Sequence, residues 1–151
     1  VGRYLERNGL KNVPLSVSFI YELTKRFTGE FALRPIISEE PRKTLKTLVK
    51  WSKDENVHVR RLASEAMRIS LPWAKKSLSA VNEFDLFKQV LCNLKNDNEK
   101  FVQKSVGNNL NDLMKESPEL AYEIMTEWEK EPMSKETAWI IKHGKRSLKT
   151  K

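Results

Sequence analysis

Cysteine, glycine and histidine are all scarce in this 151-residue chain, which holds one, five and two of them. The lone Cys92, inside the apolar pattern of FKQVLCNL, cannot close a disulfide within the chain. It reads as a small core residue of a protein in the reducing cytoplasm. His58 and His143 lie far apart and no Cys/His cluster has metal-ligand spacing, so no metal is expected. No apolar run comes near the roughly 20 residues that a membrane-spanning helix needs. No secretory leader is recognisable, and no run of alternating apolar and polar residues argues for a strand. Without a long Ser/Pro/Gly tract there is no sign of an internal linker, and residues 1–151 read as one domain. The chain begins at Val1 rather than Met, in mid-flow, and is expected to be part of a longer protein with N-terminal helices missing.

What is present is helical. PLSVSFIYELTKRF, PRKTLKTLVKWSKD, VHVRRLASEAMR, FDLFKQVLCNLKND, KFVQKSVGNNLNDLMKE, PELAYEIMTEWEKE and SKETAWIIKHGKRSL all carry apolar residues at three- and four-residue spacings. Pro14, Pro41, Pro118 and Pro132 fall at or just before the proposed starts, where a missing N–H costs little. The net charge of +8 is distributed in blocks. Residues 42–76 carry ten Lys/Arg against three acids, residues 83–131 six against eleven, and residues 135–151 six against one. Such blocks fit either an unevenly charged solvated surface or a positive face for a polyanion, nucleic acid first.

The helices repeat. Residues 54–68 overlie residues 97–111 at an offset of 43, with Asp54 over Asp97, Val59 over Val102 and Arg60–Arg61 over Gln103–Lys104. Leu48 and Trp51 in the preceding helix fall over Leu91 and Leu94, so Trp51 reads as core, as does Trp128. A weaker third copy, AWIIKHGKR, puts Gly144 over Gly107 about 37 residues on. Helix pairs with a period in the forties predict an all-α solenoid of antiparallel, HEAT- or armadillo-like repeats. The second helices are expected to line a concave basic face.

One of those second helices is built partly from poor helix formers. In KSVGNNLNDLMKE, Gly107, Asn108, Asn109, Asn111 and Asp112 each cost several tenths to about 1 kcal/mol relative to Ala. At about 100° per residue, Val102, Val106, Leu110 and Leu113 form the buried stripe, and Phe101, Ser105, Asn108 and Asp112 form a ridge beside it. Arg61, Glu65 and Arg68 form the matching ridge of the preceding repeat. Two acids, Glu65 and Asp112, are thus expected to approach one groove of a basic protein. The plain alternative for Glu65 is a surface pair with Arg61 and Arg68; for Asp112, it is a capped or water-linked surface acid.

Four stretches, LTKRFTGEFALRP (23–35), VRRLASEAMRISLPWA (59–74), SVGNNLNDLMKESPELA (105–121) and TAWIIKHGKRSL (137–148), resemble one family. It is the DNA alkylation repair glycosylases built on HEAT-like repeats, the AlkC branch more than the AlkD branch. The resemblance implies hydrolysis of the N-glycosidic bond of cationic N-alkylated purines, 3-methyladenine above all, without metal or organic cofactor. It also implies an acidic residue beside the lesion sugar, a role carried onto Asp112 and, secondarily, Glu65. Double-stranded DNA with alkylated bases is the implied partner, and a monomer is expected. Trp73 and Trp139 are candidates for contact with the damaged nucleotide, with core packing the alternative. Arg61, Arg68, Asn108, Lys142, Lys145 and Arg146 are candidate DNA contacts; His143 is expected to pack. The chain departs from the family pattern at Asn109, where His is common, and at Ser70 and Ala138, where Arg is common. A non-catalytic HEAT-repeat DNA-binding module and a scaffold for an acidic protein are the rival readings.

Overall fold

The computed structural model of the chain describes residues 18, 20, 21, 30–70 and 76–150. Among them, all regular structure is helical. The α-helices are α1 Glu30–Glu39, α2 Pro41–Trp51, α3 Val57–Glu65, α4 Ser79–Asn82, α5 Phe84–Leu94, α6 Lys100–Glu116, α7 Pro118–Glu129 and α8 Lys135–Gly144, and a 3-10 turn spans Arg146–Thr150. Pro41 and Pro118 open α2 and α7, and Asn56 and Ser134 cap α3 and α8 through side-chain oxygens. Most of the proposed helix at 14–27 lies outside the described residues.

α1 was not among the helices expected from periodicity. Pro35 sits inside it, where a proline removes a hydrogen bond and argues for a break. Leu33, Ile36 and Ile37 are nevertheless buried together, at the spacing of one helical face. Tertiary burial overrides the local penalty.

Residues 52–56, 95–99 and 130–134 join α2 to α3, α5 to α6 and α7 to α8. Turns this short make the partners antiparallel. α2 packs on α3 and α5 on α6; between repeats α2 packs on α5, α3 on α6, and α6 on α8. First helices thus stack on first helices and second on second, in two layers. Trp51 and Trp128 are buried as expected, and the Trp128 indole N–H points at the half-buried Cys92 sulfur, 3.3 Å away.

The aligned aspartates tie the repeats together. Asp54 Oδ1 accepts the Asn56 N–H at 2.8 Å, Asp97 Oδ1 accepts the Glu99 N–H at 3.0 Å, and each holds its own turn. Their other oxygens reach into the preceding repeat, Asp54 accepting from the Tyr21 hydroxyl at 2.7 Å and Asp97 from Arg60 Nε at 2.8 Å. No described helix is long and apolar enough to cross a membrane.

Candidate active site

α6 is the central helix of its layer, packed between α3 and α8, and Gln103, Ser105, Asn109, Asn111 and Asp112 are buried along it. Each of the poor helix formers reaches a neighbouring helix. Asn109 Nδ2 donates to the Ser64 carbonyl and Ser64 Oγ, at 2.9 and 2.7 Å. Asn111 Nδ2 donates to the Gly144 carbonyl and to Ser147 Oγ, at 3.0 and 2.9 Å. Asn108 Oδ1 meets His143 Nε2 and Arg146 at the α8 edge, at 3.0 and 2.9 Å. Gly107 lies so close to α8 that a Cβ there would stand 2.7 Å from His143 Cδ2. Helix propensity is given up for fixed contacts between helices.

Asp112 is only 8% exposed, and its partner lies 44 residues away in sequence. Arg68 grips it side-on, Nε to Oδ2 at 3.0 Å and the terminal nitrogen to Oδ1 at 3.4 Å. The same guanidinium reaches Glu65 Oε2 at 3.3 Å, and Arg61 meets that oxygen at 3.4 Å. The pairing of Glu65 with Arg61 and Arg68 expected from i,i+4 and i,i+3 spacing is therefore present, but it is buried, with Glu65 6% exposed. Burial by itself lowers the Arg68 pKa; the hydrogen bond and charge of Asp112, then the charge of Glu65, outweigh it and hold the guanidinium above its ordinary value. Two carboxylates from adjacent repeats thus share one arginine, with Arg61 as a second cation on Glu65.

Ser105 Oγ lies 2.8 Å from Glu65 Oε1 and 2.8 Å from Ser64 Oγ. A serine has one hydroxyl hydrogen, and a carboxylate only accepts, so Ser105 donates to Glu65. Ser64 Oγ, the other acceptor within reach of that hydroxyl, also accepts from Asn109 Nδ2. Asn109, Ser64 and Ser105 thus form one buried polar network that ends on Glu65.

Arg34 of α1 closes the cluster from behind. Its guanidinium donates to the carbonyls of Ala66 at 3.4 Å and Ile69 at 3.5 Å and, closer still, Arg68, all just past the end of α3 where helix carbonyls lack partners. Burial lowers its pKa and Arg68 lowers it further, against the opposing pull of Asp112 and Glu65.

The remaining candidates divide. Trp139 is half-buried, its ring stacked on His143 at 4.9 Å between centroids and Lys100 Nζ 3.8 Å from its centre. Arg146 is exposed and donates to Asn108; Lys145 stands 3.6 Å from Glu129; Lys142 is exposed on α8. Trp73 lies outside the described residues. Arg34 and Ser64 were not singled out in the sequence, and Ser105 stood out only as a member of the ridge beside the buried stripe, without a role. Arg34 lay within the stretch LTKRFTGEFALRP, whereas Ser64 lies off the ridge of Arg61, Glu65 and Arg68.

Residues 28–143 match the family described as DNA alkylation repair enzyme. The chain belongs to that family. A family relative, the uncharacterized protein YhaZ of Bacillus subtilis (strain 168), is 37% identical over 145 residues, which make up 96% of this chain and 40% of YhaZ. The structure of Pseudomonas fluorescens alkylpurine DNA glycosylase AlkC bound to DNA containing an abasic site analog aligns with a TM-score of 0.86 at 35% identity. The match covers 97% of this chain and 41% of AlkC. AlkD2 from Streptococcus mutans shares the fold, with a TM-score of 0.69 at 24% identity over 91% of this chain and 67% of its own. The chain thus spans about two-fifths of the YhaZ and AlkC relatives.

Proposed function

We propose that this chain carries the catalytic repeats of a DNA glycosylase that removes cationic N-alkylated purines, the 3-methyladenine class, from double-stranded DNA. The observation that carries the reading is the convergence of Asp112 and Glu65 on one shared arginine within this family's fold. A purine alkylated on a ring nitrogen is already cationic, so it departs neutral when the glycosidic electron pair moves onto it. The sugar left behind has oxocarbenium character. A carboxylate beside it stabilises charge that exists mainly in the transition state, and it orients the water that bonds to C1′ and takes that water's proton. Asp112 is the principal such group and Glu65 assists. Because Arg68 and Ser105 already fix both carboxylates, little reorganisation is needed as the charge develops. The second helices α3, α6 and α8 form the concave basic face that receives the duplex. Arg61 and Arg68 border the site, while Asn108, Trp139, Lys142, Lys145 and Arg146 contact backbone or sugar along the α8 edge.

The test is release of free 3-methyladenine from methylated duplex DNA. Asp112→Asn retains the shape and an acceptor for Arg68, and is expected to slow release by about 10²–10³ while DNA binding and folding survive. A specific observation favours a second reading, a non-catalytic DNA-binding module: both carboxylates have arginine partners, as they would in a purely structural brace. Salt-sensitive DNA binding by the unaltered protein without base release would select it.

A further inference from the structure

Many of the molecule's cations have acids beside them. In the layer of first helices, Arg42 meets Glu83 at 2.8 Å and Asp85 at 3.1 Å, and Lys88 pairs with Glu127 and lies 3.7 Å from Glu123. The edge where α6 meets α8 differs. Lys100, Lys104 and Arg146 are exposed there, and none forms an ion pair among the described residues. All three act on the imidazole of His143. Lys100 Nζ lies 3.8 Å from the Trp139 centroid, and Trp139 stacks on His143 with 11° between the planes. His143 Nε2 and Arg146 share Asn108 Oδ1, at 3.0 and 2.9 Å, and Arg146 also donates to the His143 carbonyl at 2.8 Å. Burial, then Arg146, Lys104 and Lys100, push the His143 pKa below its ordinary value. None of the groups acting on the imidazole is an acid. Three like charges around one aromatic plate repel one another until an anion arrives, and a nucleic-acid strand offers both a phosphate for the cations and a sugar or base face for the ring.

We propose that Lys100, Lys104 and Arg146, with the Trp139–His143 stack, form a docking site for the phosphodiester backbone of one DNA strand. Its ligand rests on the reading above that the chain acts on DNA; its geometry does not. A consequence follows for pH. The charged groups facing His143 are Lys100 and Lys104 from α6 and Arg146 from the turn after α8, and a seated phosphate offsets all three. Bound DNA therefore draws a proton onto the imidazole. Affinity rises as pH falls through the interval between the higher His143 pKa of the complex and the lower one of the free protein.

Fluorescence anisotropy with a labelled DNA duplex tests the site. Lys100→Ala and Lys104→Ala, at exposed positions that do not threaten the fold, are each expected to weaken binding roughly fivefold near 0.15 M salt. Each should also reduce the slope of log K against log[salt] by about 0.9. The unaltered protein should bind more tightly as pH is lowered, and His143→Gln, which keeps a donor for Asn108, should flatten that dependence. Wild-type affinity and slope in both lysine variants would overturn the site, as would displacement of DNA by polyglutamate at equal charge concentration, which points to an acidic protein partner. Base release, assayed on the same proteins, separates the two readings. Release with lysine-independent binding removes the docking site and leaves the glycosylase; lysine-dependent binding without release does the opposite.

Discussion

Ser105 illustrates how much a single hydroxyl settles in this cluster. It supplies a neutral donor to Glu65 at 2.8 Å, and the other acceptor in its reach, Ser64 Oγ, is already held by Asn109. Ser105→Ala is therefore expected to slow base release at nearly constant KM, because the orientation of Glu65 loosens without loss of a DNA contact. Ser105→Thr, which retains the hydroxyl, should restore most of the rate. In a Glu65→Gln background the Ser105→Ala change should add little, since two residues acting through one group are not additive. Single-turnover kinetics on methylated duplex DNA measure all three, and an undiminished additive effect would remove Ser105 from the site. Asp112 and Glu65 stood out in the sequence as acids on the second helices of a basic, repetitive chain. The pairing of Arg68 with Glu65 was legible from i,i+3 spacing; its pairing with Asp112 was not, because a partner 44 residues away leaves no mark on helical spacing.

Among the helices, α6 and α8 approach closely through Gly107 and Gly144. A Cβ on Gly144 would stand 2.8 Å from Leu110 Cβ, and Leu110 is wholly buried and cannot retreat. Alanine gains about 1 kcal/mol of helix propensity over glycine, whereas overpacking a closed core costs about 1–3 kcal/mol. Gly144→Ala should lower the thermal midpoint despite the better helix former; an unchanged or higher midpoint would mean α8 can slide away from α6. Between the preceding repeats, Arg60 holds the nearly buried Asp97 at 2.8 Å. Replacing Arg60 by Met leaves that carboxylate without its cation, and urea denaturation should register a loss of roughly 3 kcal/mol. The helix pairs, their proline starts and the offset of 43 were legible because periodicity and turn chemistry are local. α1 was not, since the local cost of Pro35 is outweighed only by the burial of Leu33, Ile36 and Ile37.

For the whole molecule, an excess of +8 and an α6–α8 edge where Lys100, Lys104 and Arg146 have no ion pair among the described residues point to binding governed by counterion release. Five to eight neutralised phosphates give a slope of log K against log[salt] of about −5 to −7, measurable by titration at several salt concentrations. Stability and binding should respond to acid in opposite directions. The folded-state pKa of His143 lies below the ordinary 6.5, so its contribution to stability is complete above about pH 6.5. As pH falls below that, the unfolded chain takes up a proton that the fold resists, and stability declines until the folded pKa is reached. Urea midpoints measured from about pH 7 to 5 should fall less steeply in His143→Gln than in the unaltered protein.

By itself the sequence determined the all-helical class, the repeat period, the family and the two acids worth watching. All of these are encoded in residue spacing and in order along the chain, which survive without coordinates. Only the tertiary structure decided what the asparagines of α6 do, that Asp112 shares Arg68 with Glu65, that Ser105 donates to Glu65, and where exposed positive charge gathers around His143. Those answers depend on contacts between helices about 35 to 45 residues apart. Their distances come from packing, and no local pattern of residues records it.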